Sequence, residues 1–125
     1  LHPALKSKYP YQPTDSYPDL RQNFDLPIYH IGNNSVHRHI YQMALRYPGV
    51  AVLHDLNLSQ FLTHDLMVEQ ENFAAYVREL AHIHGQAGYK LGRQLWLNQP
   101  DVQLPSSTFN KRLSRRSLGL IVHNE

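Results

Sequence analysis

Two short apolar runs, Ile28–Ile31 and Val50–Leu53, bracket a stretch with helical periodicity, and this spacing constrains the chain more than any other feature. Between them Gly32-Asn33-Asn34-Ser35 breaks the first run and supplies side-chain oxygens suited to capping a helix. Val36, Ile40, Met43 and Ala44 then recur at helical spacing with Leu45 beside them, and Tyr47-Pro48-Gly49 ends the pattern. The second run is continuously apolar, which predicts a strand covered on both faces. Strand, helix and strand make a βαβ unit, with a right-handed connection and parallel strands expected. Both strands then end on one edge of the sheet. Gly32-Asn33-Asn34 and His54-Asp55 are therefore expected side by side, at the edge where open α/β sheets bind ligands.

The remaining chain reads around this unit. Residues 1–26 hold Pro3, Pro10, Pro13 and Pro18 among Tyr9, Tyr11, Tyr17 and Phe24. Each proline removes a donor and disfavours helix before it, so this is a connecting segment with aromatic anchors. Asn57 is placed to cap a second helix with Leu58, Phe61, Leu62 and Leu66 on its apolar face. The longest helical pattern covers residues 68–97, with Phe73, Val77, Leu80, His84, Ala87 and Leu91 in alternating steps of four and three. Gly85, Gly88 and Gly92 interrupt it, each weakening a helix by roughly 1 kcal/mol relative to alanine. A close approach of another helix or of the sheet accounts for glycines at that spacing. Residues 98–107 form a loop. Ser107 is placed to cap a short basic helix over 109–117 carrying Lys111, Arg112, Arg115 and Arg116, either a solvated face or a contact for an anionic acceptor or membrane surface. Residues 118–122 read as a third strand ending at His123-Asn124.

The chain of 125 residues is long enough for one domain, and a 42% hydrophobic fraction permits a core. Only three strands are visible and the first residue is Leu, so a piece of a longer protein is expected. A formal charge of +2 is too small to argue for nucleic acid. There are no cysteines, which excludes disulfides and thiolate zinc sites. No run reaches membrane-spanning length and no signal peptide is visible, which leaves a cytoplasmic protein as the expectation.

Nine histidines invite a metal site. On a helix, however, the two members of each H-x-H pair, His37 with His39 and His82 with His84, point about 200° apart and cannot chelate from one face. No metal and no cofactor is expected. His54-Asp55 also matches the dyad of HD-type phosphohydrolases, but that dyad belongs on a helix, and here it follows a strand pattern. At a strand end, the His54 imidazole can donate or accept a hydrogen bond near neutral pH. Asp55 can orient His54, bind a hydroxyl or cap the next helix. Gly32 lets backbone approach a ligand, while Asn33 and Asn34 serve either a ligand or a turn. His37 and His123 can reach the same edge, and His30, inside the first strand, reads as a packed histidine.

The segment PIYHIGNNSVHRHIYQMALRYPGVAVLHDLNL resembles the N-terminal domain of bacterial retaining glycosyltransferases of GT-B fold, family 4 (glycosyl transferases group 1). A subset of these carries Y-x-x-G-N-N-x-x-H followed by P-G-V-x-V-x-H-D, matched here by Tyr29, Gly32, Asn33, Asn34, His37, Pro48, Gly49, Val50, Val52, His54 and Asp55. The resemblance covers roughly residues 25–125 and implies half of a GT-B fold: a partial Rossmann-like, acceptor-side α/β domain over residues 27–125 with a parallel sheet, after the connecting segment 1–26. It implies sugar transfer from a nucleotide-sugar donor to a sugar or lipid-linked acceptor. His54 and Asp55 would serve catalysis, and Gly32, Asn33, Asn34, His37 and His123 the substrate. It also implies a C-terminal donor-binding domain in the same parent chain. The basic residues Lys111, Arg112, Arg115 and Arg116, where they are not simply a solvated face, would give a cytoplasmic protein a peripheral contact with the inner face of the membrane. The Gly-rich first loop and the paired-glutamate motif of such enzymes are missing here, so these residues alone are expected to be inactive. A non-catalytic α/β ligand- or metal-binding module and an HD-type phosphohydrolase are the alternatives.

Overall fold

The computed structural model describes residues 2–8, 11–100, 102 and 108–123. Its centre is a three-stranded parallel sheet of β1 (Ile28–Ile31), β2 (Val50–Leu53) and β3 (Gly119–Val122), in that order. The register pairs Ile28 with Val50 and Val50 with Gly119, and Ile31 with Leu53 and Leu53 with Val122. The chain is thus α/β, with both expected strands of the βαβ unit in place.

The helices are α1 (Pro3–Lys8), α2 (Tyr17–Leu20), α3 (Arg38–Arg46), α4 (Ser59–His64), α5 (Phe73–His84), α6 (Gln86–Trp96) and α7 (Lys111–Arg116). Among the described residues of the proline-rich opening segment there are short helices and turns, and Tyr17 anchors it edge-on against the rings of Tyr29 and Tyr47. Between β1 and α3, Asn34 accepts a hydrogen bond from the Val36 N–H at 3.1 Å and caps a tight turn over Ser35–His37. That turn has three residues per rotation, which shifts the helical phase. Val36, expected on the apolar face, is therefore 77% exposed, while Tyr41, Met43 and Ala44 are buried. Asn57, expected as the cap of α4, lies one residue ahead of the N-cap Leu58 and accepts from the Ser59 N–H at 2.8 Å, while Phe61 and Leu62 of α4 are buried together with Leu58. Each such side chain contributes roughly 1.5–3 kcal/mol by leaving water. A π-turn over Asp65–Glu69 follows, and buried Asp65 faces Arg38 at 3.2 Å and accepts from Gln70 at 2.6 Å.

The single helix expected over residues 68–97 is in fact a helical hairpin. Gly85 adopts φ +63° and ψ −137°, and the chain reverses there. A Cβ at Gly88 would collide with the Leu80 carbonyl, and one at Gly92 would lie 2.7 Å from a Val77 methyl. The glycines thus let two antiparallel helices touch backbone to backbone. Because each helix presents its own face, the expected continuous stripe breaks: Leu80 and Leu91 are buried, and Ala87 is exposed.

The basic helix starts later than expected, at Lys111, after a buried Phe109 with φ +54°. The expected Ser107 cap lies outside the described residues. Arg115 and Arg116 are exposed, as a solvated basic face requires, but three of the four basic side chains also make tertiary ties. Lys111 Nζ donates to the His82 and Ile83 carbonyls near the end of α5, at 2.8 and 3.4 Å. Arg112 Nε pairs with buried Glu79 at 2.8 Å, and Arg116 Nε donates to the Leu45 carbonyl near the end of α3 at 2.8 Å. Cations at helix C-termini satisfy orphan carbonyls and oppose the helix dipole.

Helices cover one face of the sheet, where Tyr29, Ile31, Ala51 and Leu53 are buried. The other face lies open, with Ile28 and Ile121 58% and 52% exposed. The expectation that β2 is covered on both faces is met by helices on one face only. Val52, on the other, is buried in register between His30 and Ile121. Among the described residues, no helix is long and apolar enough to cross a membrane.

Candidate functional site

Parallel pairing brings the ends of β1, β2 and β3 to one edge, and the ladder continues past them. The His54 N–H donates to the Ile31 carbonyl at 2.9 Å and the His123 N–H to the Leu53 carbonyl at 3.4 Å. Side chains alternate across a strand, so His54 follows Val52, and His123 follows Ile121, onto the open face. There the His54 ring stacks on His30 at a centroid separation of 5.2 Å and on His123 at 5.1 Å. The three imidazoles form a row across the sheet.

His30 belongs to this row rather than to the core. Its exposed imidazole places Nδ1 3.0 Å from His54 Nε2, so one ring donates and the other accepts. The sequence carried a signal for this: with Tyr29 and Ile31 facing inward, period-two alternation sends His30 outward.

The Gly32 turn sits beside the row. Its Asn33 N–H donates to Asp55 Oδ2 at 2.9 Å, tying the β1 loop to the β2 loop. Asn33 Oδ1 accepts from the Phe61 N–H at 2.7 Å, in the first turn of α4. With Asn34 Oδ1 holding Val36, both amide oxygens accept from backbone N–H groups, and their NH2 groups have no partner among the described residues. Gly32 is buried, and its missing Cβ leaves space that His37 Nε2 and Asp55 Oδ2 flank, 3.2 and 3.4 Å from where that carbon would stand. His37 therefore packs against the turn, with Nδ1 buried and unpartnered. A small recess of about 200 Å³ opens next to it, lined by Asn33, Asn34, Ser35, Gln60, Phe61 and His64.

The structure thus brings His54, His123, Gly32, Asn33, Asn34, His37 and Asp55 to one rim, and adds His30. Asp55 acts there as a tie between loops, and it does not touch His54 through any hydrogen bond among the described residues. Val50–Leu53 is extended, so His54-Asp55 is not a helical dyad. No group of three or more histidine, aspartate or glutamate side chains is arranged to hold a metal ion among the described residues. Comparison of the chain with known protein families, with characterised proteins and with solved structures finds no match.

Proposed function

We propose that this chain is the acceptor-side half of a GT-B glycosyltransferase, a partial Rossmann-like domain whose strand-end rim lines the active cleft. The observation that carries this reading is the Asn33–Asp55 bond of 2.9 Å, which joins the glycine-asparagine turn to the loop bearing His54 at one edge of a parallel sheet. An amide-rich bend and an imidazole at a shared rim suit the recognition of sugar hydroxyls.

In the proposed reaction the bond from the anomeric carbon to the nucleoside diphosphate breaks. A bond to the acceptor oxygen forms, and the acceptor's proton leaves with the diphosphate. His54 hydrogen-bonds a hydroxyl at the reacting centre, His123 and His30 extend the imidazole surface for the acceptor, and the asparagine NH2 groups of the turn bind polar groups at the recess. Asp55 and His37 position Gly32. Charge building up on the leaving diphosphate needs fixed cations or donors. None gathers at this rim among the described residues, so a C-terminal donor-binding domain of the parent chain is assigned that task.

The test is release of nucleoside diphosphate from a panel of nucleotide sugars by the parent chain. A His54→Ala variant is expected to lose at least ~100-fold in turnover, the order of a lost positioned acid, base or donor, with its melting temperature unchanged. Full activity in that variant, or no release from any donor, overturns the proposal. The imidazole row equally suits a non-catalytic ligand-binding module, which would bind a sugar or nucleotide without releasing diphosphate.

A further inference from the structure

At the opposite end of the sheet, where β2 and β3 begin, a recess of about 340 Å³ is lined by Leu45, His82, Arg112, Arg115 and Arg116. Three guanidiniums converge on one small volume, and two of them are fixed. Arg112 is anchored through Nε to Glu79 at 2.8 Å, and Arg116 through Nε to the Leu45 carbonyl at 2.8 Å. Anchoring at Nε leaves the terminal nitrogens of each planar fork without a partner among the described residues. Arg115 has no ion-pair or hydrogen-bond partner at all among them. His82 Nε2 is buried with its hydrogen-bonding capacity unused. Lys111 spends its ammonium on backbone carbonyls and is not part of the recess. Among the described residues, Glu79 is the carboxylate paired with this cluster.

A guanidinium already held at Nε loses little entropy when its outer nitrogens grip an oxyanion, and its fork matches phosphate geometry. We infer that this recess is a phosphate-binding site, taking a phosphate monoester or diphosphate group between Arg112, Arg115 and Arg116, with the His82 imidazole at its wall. It lies on the other edge of the sheet from His54, so it stands or falls independently of the sugar-transfer reading. The phosphate can belong to a soluble phosphorylated metabolite or to an anionic lipid headgroup, since both present the same oxyanion.

The experiment titrates the intact chain with inorganic pyrophosphate by calorimetry, and in parallel measures its sedimentation with phosphatidylcholine vesicles that contain or lack phosphatidic acid, whose headgroup is a phosphate monoester. Arg115→Ala is the informative variant, because Arg115 makes no tie that folding needs. It should weaken binding about 10-fold, the scale of one charge-assisted contact. Arg78→Ala removes the same charge elsewhere on the surface and should leave binding unchanged. The titration midpoint of the His82 imidazole should rise when pyrophosphate binds, a change that a purely structural arginine cluster would not produce. Saturable pyrophosphate binding without vesicle binding supports the site and makes the ligand soluble. Vesicle binding that pyrophosphate competes away supports it and makes the ligand a headgroup. No saturable binding in either arm, or equal losses in Arg115→Ala and Arg78→Ala, overturns the site.

Discussion

The imidazoles of His30 and His54 lie stacked across neighbouring strands, interplanar angle 25°, with Nδ1 of one 3.0 Å from Nε2 of the other. Two rings in this relation share one proton between the facing nitrogens, so the tautomer of each is set by its partner. His30 thereby becomes a positioning residue for His54: it decides whether the outward face of the His54 ring offers a donor or an acceptor.

Removing His30 should therefore change His54 without unfolding anything. In alkaline buffer, long-range ¹H–¹⁵N spectra of the wild type are expected to show one dominant tautomer for both rings. In His30→Ala the His54 ring should drift toward a mixture of tautomers, with a melting temperature within the small range expected of an exposed substitution, roughly ±0.5 kcal/mol in stability. An unchanged His54 tautomer would mean that the two rings merely touch.

The helical hairpin makes a second, sharper prediction about packing. Gly88→Ala drives a methyl into the Leu80 carbonyl, part of a backbone that cannot move aside, so the loss should approach the ~3 kcal/mol upper end for overpacking. Gly92→Ala meets a side chain first, the Val77 methyls, which would lie 2.7 and 2.8 Å away. Its cost should be nearer ~1 kcal/mol. A Val77→Ala background removes both methyls but keeps the Val77 Cβ position at 3.1 Å, so it should relieve most of the Gly92→Ala loss and leave the Gly88→Ala loss untouched. Chemical denaturation of the four variants checks the order, and equal losses at the two glycines would show that the helices can separate.

The same hairpin shows where sequence reasoning stopped. Period-two and period-3.6 patterns located β1, α3, β2 and α4, because each rests on local chemistry: a Gly-Asn break, an Asn57 turn just ahead of α4, a Pro-Gly stop. They merged α5 and α6, because the apolar steps happen to keep phase through Gly85, and the positive φ that reverses the chain there is invisible to periodicity. The rim was foreseeable from topology, since parallel strands must end together. The His30 contact depends on which sheet face stays uncovered, and the ties of Lys111, Arg112 and Arg116 depend on where two distant helices end. Those are tertiary facts, and a cluster of basic residues on a short helix looks the same before and after they are spent.

The buried Glu79–Arg112 pair should behave as a unit. Glu79 is almost wholly out of water and its second oxygen has no partner among the described residues, so Arg112→Ala leaves an uncompensated carboxylate at a cost of about 3 kcal/mol. The hydroxyl of neighbouring Tyr41 is buried without a partner among the described residues, and burial, reinforced by the Glu79 charge, holds it neutral well above the usual phenol range. Glu79→Ala combined with Arg112→Ala should be less damaging than the sum of the single changes by ~1–3 kcal/mol. Additive losses in a double-mutant cycle would show that solvent screening of the half-exposed guanidinium has already dissolved the pair.

His82 fixes the sign of one pH effect. Burial first, then the nearby Arg112, with smaller pushes from Lys111 and Arg115, lowers its pKa against the opposing pull of Glu79. In the native chain His82 thus resists protonation that the unfolded chain accepts at its ordinary value of 6.5. The unfolded state then holds more protons just below that pH, so stability rises with pH through this window and the His82 contribution is complete above it. Falling pH removes the contribution progressively, from about 6.5 down to the lowered native value. His82→Gln deletes the titrating ring but keeps the backbone carbonyl that accepts from Lys111 Nζ at 2.8 Å. Melting temperatures measured from neutral to mildly acidic buffer should therefore fall less steeply in the variant than in the wild type. Parallel curves would mean that the native chain protonates His82 as readily as the unfolded one, and that the surrounding arginines do not act on this ring.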